Sequence, residues 1–183
     1  MPRVRLPSGE VRDEIRQVLW DTIDIAAAEA VQATRSFFSN VQGKLKSQTN
    51  LRQNNLLEAA VSFRTMGLVL DAQNTDATQL TVLPLLMDHS YVEFVVGEKI
   101  YWQGNGEFAT GRLFQTTTAD AYQRYGDVAV QSVGFTGIHV VDIPPLQSFR
   151  VNWTVEGMAS PPTVASALRF IMSLKGLMRR PVQ

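Results

Sequence analysis

The chain contains no cysteine, so disulfide bridges and thiolate metal sites are excluded. Its only histidines, His89 and His139, are too far apart in sequence for a close metal-binding pair, and Asp88-His89 reads as a turn-capping pair. A Gly-x-Ser-x-Gly nucleophile motif is also missing. The sequence Gly104-Asn105-Gly106 is typical of a β-turn with positive φ angles rather than of a phosphate-binding loop. The sequence therefore predicts no catalytic, metal or cofactor site, and no cofactor.

Neither sign of charge is in excess. Lys and Arg total 17, as do Asp and Glu, whereas dedicated nucleic-acid binders are usually strongly basic. The longest apolar runs, at 82–87 and 91–96, fall far short of the roughly 20 residues of a transmembrane helix. No apolar core of a signal peptide follows the first basic residues. We therefore expect a soluble protein with no secretion address, and 183 residues suit one domain with or without an arm.

Several carboxylates are close together in sequence, but no motif fixes them in one cleft. They are expected to be solvated or to lie at contacts between subunits. The three pairs are Asp13 with Glu14, Asp21 with Asp24, and Glu93 with Glu98.

Alternation of apolar and polar residues, which is typical of half-buried β-strands, recurs along the chain. Residues 146–156 and 168–174 alternate most clearly, and Gly176 is expected to turn the chain after the second of these segments. The sequence also predicts strands at 17–25, 61–70, 91–96, 100–102, 128–135 and 138–143.

The sequence does not decide the secondary structure of two segments. Residues 79–87 fit either a strand or a short helix broken at Pro84, and the alanine-rich stretch 26–33 fits a helical turn. Residues 97–99 read as the tight turn of a hairpin. Eight to ten strands joined by turns favour an antiparallel β-sandwich, jelly roll or barrel.

Two segments stand out as polar. Residues 1–16 read as an N-terminal arm, solvated or in contact with an anionic surface, and 17–183 as the domain. Within that domain, 39–56 form a long loop rich in amides, which packing against a neighbouring subunit would order.

Four segments of the sequence resemble the jelly-roll major capsid proteins of small tailless icosahedral bacteriophages. They are residues 37–44 (FFSNVQGK) with 49–51 (TNL), 97–108 (GEKIYWQGNGEF), 143–149 (IPPLQSF) leading into 151–157, and 174–183 (LKGLMRRPVQ). The resemblance extends from about residue 17 to the end of the chain.

The resemblance implies an all-β fold, a single jelly-roll antiparallel β-sandwich with an extended N-terminal arm and long polar loops. It implies a major capsid subunit that self-assembles into the phage shell, so the protein is expected in the virion after synthesis in the host cytoplasm. The implied partners are further copies in capsomers, other virion proteins and, in members that enclose one, an internal lipid membrane. Direct binding of nucleic acid is not expected, because the chain has no polybasic tail.

Polar residues of the arm, the loop and the C-terminus are the candidates for contacts between subunits. Arg179 and Arg180 are expected either to pair with acidic groups of a neighbour or to be solvated. The full set is Arg3, Arg5, Arg12, Gln48, Asn50, Gln53, Asn54, Asn55, Arg179 and Arg180.

Three other functions remain open from the sequence. One is a minor virion protein of the same fold at a vertex or spike. Another is a carbohydrate-binding β-sandwich in which Tyr101, Trp102 or Trp153 stacks on a sugar, although core packing or a subunit contact is the simpler role for these aromatics. The last is a β-sandwich enzyme without a cofactor.

Overall fold

A computed structural model describes residues 3–6, 8–74, 82–106, 109, 123–125, 133–134 and 140–182. His139 and most of the strand predicted at 128–135 lie outside this part of the chain.

The described residues form eleven strands and one helix. The strands are β1 (Arg3–Arg5), β2 (Val11–Ile25), β3 (Thr34–Phe37), β4 (Ser62–Asn74), β5 (Ser90–Val96), β6 (Lys99–Asn105), β7 (Gln123–Tyr125), β8 (Val133–Gly134), β9 (Val141–Ile143), β10 (Phe149–Val155) and β11 (Leu168–Pro181). The helix, α1 (Val82–Asp88), lies between β4 and β5.

The strands form two antiparallel sheets. In the larger sheet the order is β1-β2-β11-β4, and β7, β8 and β9 pair in series along the far edge of β4. In the smaller sheet the order is β3-β10-β5-β6. The expectation of an all-β antiparallel sandwich is confirmed.

The hydrophobic core lies between the two sheets. Trp153 of β10 and Phe170 of β11 meet across it with ring centroids 4.3 Å apart. The alternation predicted along residues 146–156 is confirmed, because every second side chain of β10 is at most 1% exposed. These core side chains are Phe149, Val151, Trp153 and Val155.

The strand predicted at 168–174 is confirmed, but the turn predicted at Gly176 is wrong. β11 runs on through this glycine to its end at Pro181. One extra residue of β4, Met66, lies between the partners of Lys175 and Gly176 and forms a bulge. A Cβ on Gly176 would overlap the main-chain oxygen of Arg64, so the glycine permits a close approach of two strands.

The β-turn predicted at 104–106 is also wrong. Gly104 belongs to β6, and neither it nor Gly106 has a positive φ. Both positions instead lack room for a side chain. A Cβ on Gly104 would lie 2.6 Å from the indole of Trp102, and one on Gly106 would overlap the Ser90 hydroxyl.

The structure also changes the predicted start of β2 and defines the secondary structure of two further segments. β2 starts at Val11 rather than at residue 17, so residues 11–16 of the predicted arm belong to the larger sheet. The segment 26–33 contains turns and bends but no helix. In the segment 79–87 the helical alternative is confirmed from residue 82, where α1 begins; α1 ends at Asp88, and Pro84 lies in its first turn, where the missing N–H costs no hydrogen bond.

Candidate interaction surfaces

The loop of residues 38–61, which connects β3 to β4, is fastened to the larger sheet by a buried carboxylate. Asp21 is fully buried, and its Oδ2 accepts a hydrogen bond of 2.7 Å from the main-chain N–H of Phe38. Its Oδ1 accepts one of 2.8 Å from Nζ of Lys44, which also donates to the main-chain oxygen of Thr22 at 2.6 Å. The charge is thus both paired and hydrogen-bonded, as a buried carboxylate requires.

Asn50 of the same loop takes the place of a neighbouring strand along the edge of β2. Its Oδ1 accepts from the N–H of Trp20 at 2.9 Å, and its own N–H donates back to the oxygen of Trp20 at 3.3 Å. Its Nδ2 donates to the oxygen of Val18 at 2.7 Å, and the Thr49 hydroxyl donates to Trp20 at 3.1 Å. The loop therefore covers part of an edge that another chain would otherwise pair with.

The other loop amides proposed as contact residues differ in their use. The side-chain oxygens of Gln48 and Asn54 each accept a hydrogen bond from a main-chain N–H of the loop, at 2.9 Å. Asn55 has a φ of 59°, and its main-chain oxygen accepts from the N–H of Phe149 at 2.9 Å. Gln53 is exposed and is the one of these most available to another molecule.

Most of the predicted contact arginines are engaged inside the chain. Arg12 binds both carboxylate oxygens of Glu10, at 3.0 and 3.2 Å, and the main-chain oxygen of Ala60 at 2.7 Å. Arg179 donates from Nε to Glu14 at 2.8 Å, so its guanidinium has a carboxylate partner within the chain. Arg3 is exposed on β1 and lies 3.8 Å from a carboxylate oxygen of Asp13, Arg5 is exposed on the same strand, and Arg180 is half-buried on β11 and also interacts within the chain.

In two further ion pairs, the contacts shift the pKa of one member of the pair. The main-chain N–H of Ala26 and, next, the guanidinium of Arg35 hold the pKa of Glu29 below its ordinary value. The hydrogen bond to Asp142 raises the pKa of Arg64 and joins β9 to β4. Both pairs stabilise the protein's own loops and strands.

A group of exposed apolar side chains lies at one end of the sandwich, which we call the lower end. At this end β3 and β5 finish and β4, β6 and β10 begin, as the antiparallel pairing requires. The 38–61 loop, the 97–98 turn and the 144–148 turn meet there through main-chain hydrogen bonds. The exposed residues in or beside these segments are Leu45 (68%), Leu146 (65%), Ile100 (48%) and Tyr101 (45%).

The aromatic residues considered as sugar platforms have different surroundings. Trp153 is fully buried, so it is not available to stack on a sugar. Trp102 is half-buried, whereas Tyr101 is exposed and has Nζ of Lys99 5.0 Å from its ring centroid. Tyr101 is also the extra residue of a bulge in β6, the outermost strand of the smaller sheet.

Sequence reasoning missed the anchor at Asp21, which was expected to be solvated or at a subunit contact. Asp24 does lie at the surface, where it pairs with Arg169. The signal was available: within the strand, Asp21 shares the parity of Leu19, Ile23 and Ile25, which is the core-facing parity. A carboxylate at such a position indicates a cationic partner elsewhere in the chain.

The described residues contain no group of three or more His, Asp or Glu side chains that could hold a metal ion. None of their helices is long and apolar enough to cross a membrane. No protein-family model matches the chain, and no curated protein sequence matches it either.

Proposed function

We propose that the sandwich is a single jelly roll and that the chain is the major capsid subunit of an icosahedral phage shell. The support from the fold is the order of pairing. With β1 set aside and β7, β8 and β9 taken as one interrupted strand, the first strand pairs with the eighth, the second with the seventh, the third with the sixth and the fourth with the fifth. A long antiparallel hairpin rolled into two sheets pairs in this nested way, and viral capsid domains commonly use that architecture.

The nested pairing is the observation that carries the proposal, and the lower end adds to it. Monomeric proteins seldom concentrate exposed apolar residues in one region, which is typical of a contact surface. Leu146 supports this view in particular, since it is 65% exposed and has a φ of 59°. Its positive φ belongs to the 144–147 turn, and contact with a neighbouring copy would bury the side chain that this turn presents to solvent.

Assembly of lower-end variants tests the proposal. Leu146→Asp should leave the sandwich folded, because aspartate tolerates a positive φ and the position is exposed. It should shift the protein from large assemblies toward single subunits or small oligomers, as measured by multi-angle light scattering. The matched control is Thr163→Asp, an exposed position in the loop between β10 and β11 at the opposite end. Equal assembly of the two variants would remove the lower end from the proposed contacts.

The N-terminal segment gives a second test. Deleting residues 1–10 leaves β2 intact and removes β1, so the protein should fold but assemble poorly. Deleting residues 1–16 also removes six residues of β2, whose partners on β11 would be left exposed, and should destabilise the fold. Circular dichroism separates loss of folding from loss of assembly. Normal assembly after removal of residues 1–10 would contradict a tethering role for the arm.

A carbohydrate-binding module is the second candidate, and the exposed ring of Tyr101 is the observation in its favour. Aromatic side chains on a strand can stack on sugars, although Lys99 already lies near this ring. A glycan array with wild-type protein and Tyr101→Ala tests this function. Binding that the substitution abolishes, by a protein that stays monomeric, would favour it over the shell.

A further inference from the structure

The edge of β2 has a gap in its covering at Arg16. Main-chain groups of every second residue point away from β11 along this edge, since Val18, Trp20 and Thr22 all bond to groups of the 38–61 loop. By the same period, the N–H and C=O of Arg16 and the N–H of Val18 face outward. No described residue bonds to these three groups, although β1 covers the start of the strand and Asn50 covers its next part.

A cavity lies on the core side of this gap. Its volume is about 200 Å³, and it separates the edge of the larger sheet from the 38–61 loop. Gln17 and Leu19 of β2 and Met178 of β11 form one wall, and Leu51 and Leu57 of the loop contribute to the other. Polar loop residues, among them Asn50 and Gln53, complete the lining, so an apolar side chain added beside β2 at this level would contact the apolar part of the walls.

A second groove lies on the opposite, outer face of the same gap. It has a volume of about 490 Å³ and runs over the bulge between β4 and β11. Val18 and Met66 give it apolar walls, and both are more than a third exposed. The exposed Arg16 also lines it, so a negatively charged side chain of an occupant would be favoured beside this residue.

We propose that this edge of β2 binds an extended peptide segment of a partner in which apolar residues alternate with acidic ones. The segment pairs with the main-chain groups of Arg16 and Val18 as an added strand. Because side chains of a strand alternate between its faces, its apolar side chains enter the inner cavity while its acidic ones lie beside Arg16. This site does not depend on the proposed shell, because every group that forms it belongs to one chain.

Fluorescence anisotropy with short synthetic peptides tests the site. The probe is a labelled hexapeptide of alternating leucine and glutamate, and the comparison is its leucine–lysine counterpart. Wild-type protein should bind the glutamate peptide in a saturable manner, and the lysine peptide roughly tenfold more weakly. Arg16→Glu should reverse this preference, and since Arg16 is exposed the variant should fold. Absence of saturable binding by either peptide would overturn the proposal.

Two controls separate strand addition from simple attraction of charge. Methylating the peptide nitrogens that face β2 removes their hydrogen bonds and should abolish binding, whereas methylating the alternate nitrogens should not. Arg5→Glu makes the same change of charge at an exposed position of the same sheet but outside the groove, and it should leave the preference unaltered. Equal binding of both methylated peptides, or an equal effect of the two charge reversals, would contradict an edge-strand site.

Discussion

Strand β10 and the loop of residues 38–61 are both fixed in place, but by different forces. β10 is held by burial, because its inward side chains fill the core and Trp153 packs on Phe170 across the two sheets. The loop is held by directed polar contacts, above all those of Asp21 and Asn50 with main-chain groups. Burial depends on the pattern within one segment, whereas polar anchoring depends on partners far away in sequence.

The largest loss of stability should follow truncation within β10. Phe149→Ala removes a ring that is 1% exposed and whose centroid lies 5.4 Å from that of the Phe38 ring. Denaturant unfolding should therefore show that the free energy of unfolding falls by about 3–5 kcal/mol. The adjacent Arg150→Ala changes a side chain of the outer face and should have a much smaller effect. A neutral result for Phe149→Ala would mean that the register of β10 is wrong.

Removing Asp21, the buried carboxylate that fastens the 38–61 loop, should lower the free energy of unfolding by less than truncation of Phe149 does. Asp21→Ala leaves the N–H of Phe38 without its acceptor and Lys44 without its counter-ion, for a loss of about 2–3 kcal/mol in denaturant unfolding. The loss is limited because Lys44 is 22% exposed and keeps a contact with water. The control is Asp24→Ala, whose partner Arg169 is exposed, and it should cost less than about 1 kcal/mol. Similar losses in both variants would deny that the loop is anchored at Asp21.

Removing the Asn50 side chain, which covers part of the edge of β2, should have a smaller and more local effect on stability. Asn50→Ala removes the side-chain bonds to Trp20 and Val18 and should cost about 1–2 kcal/mol. Amide hydrogen exchange at Trp20 should accelerate in this variant. The exposed loop residue Gln42, replaced by alanine, should leave that exchange unchanged. Unaltered exchange at Trp20 after removal of Asn50 would show that the loop does not protect the edge.

The smallest effect on stability is expected at acid pH and involves Glu29. Since the pKa of Glu29 is lower in the folded protein, its contribution to stability is fully present above the pKa of the unfolded chain and is lost as the pH falls through the folded value. The 26–33 segment should therefore loosen at acid pH, as followed by NMR of the Ala26 amide. Glu29→Gln should remove this transition, and Glu156→Gln, at an exposed position, should not. A transition that survives Glu29→Gln would assign it to another group.

Local patterns explain what could be predicted from the sequence. The strands at β5, β10 and the first half of β11, together with the hairpin turn at 97–98, follow from alternation and turn residues within a few positions. Gly176 was misleading because its role depends on the approach of β4 from a distant part of the chain. Asp21 and Asn50 were assigned to solvent or to neighbouring copies for the same reason, since their partners are 17 to 32 residues away.

The most direct test of the proposed capsid function is negative-stain electron microscopy of the purified wild-type protein, with light scattering on the same sample. The nested pairing of the strands and the apolar lower end lead us to expect closed shells or uniform capsomers. A protein that remains strictly monomeric across concentration and ionic strength would contradict the proposal.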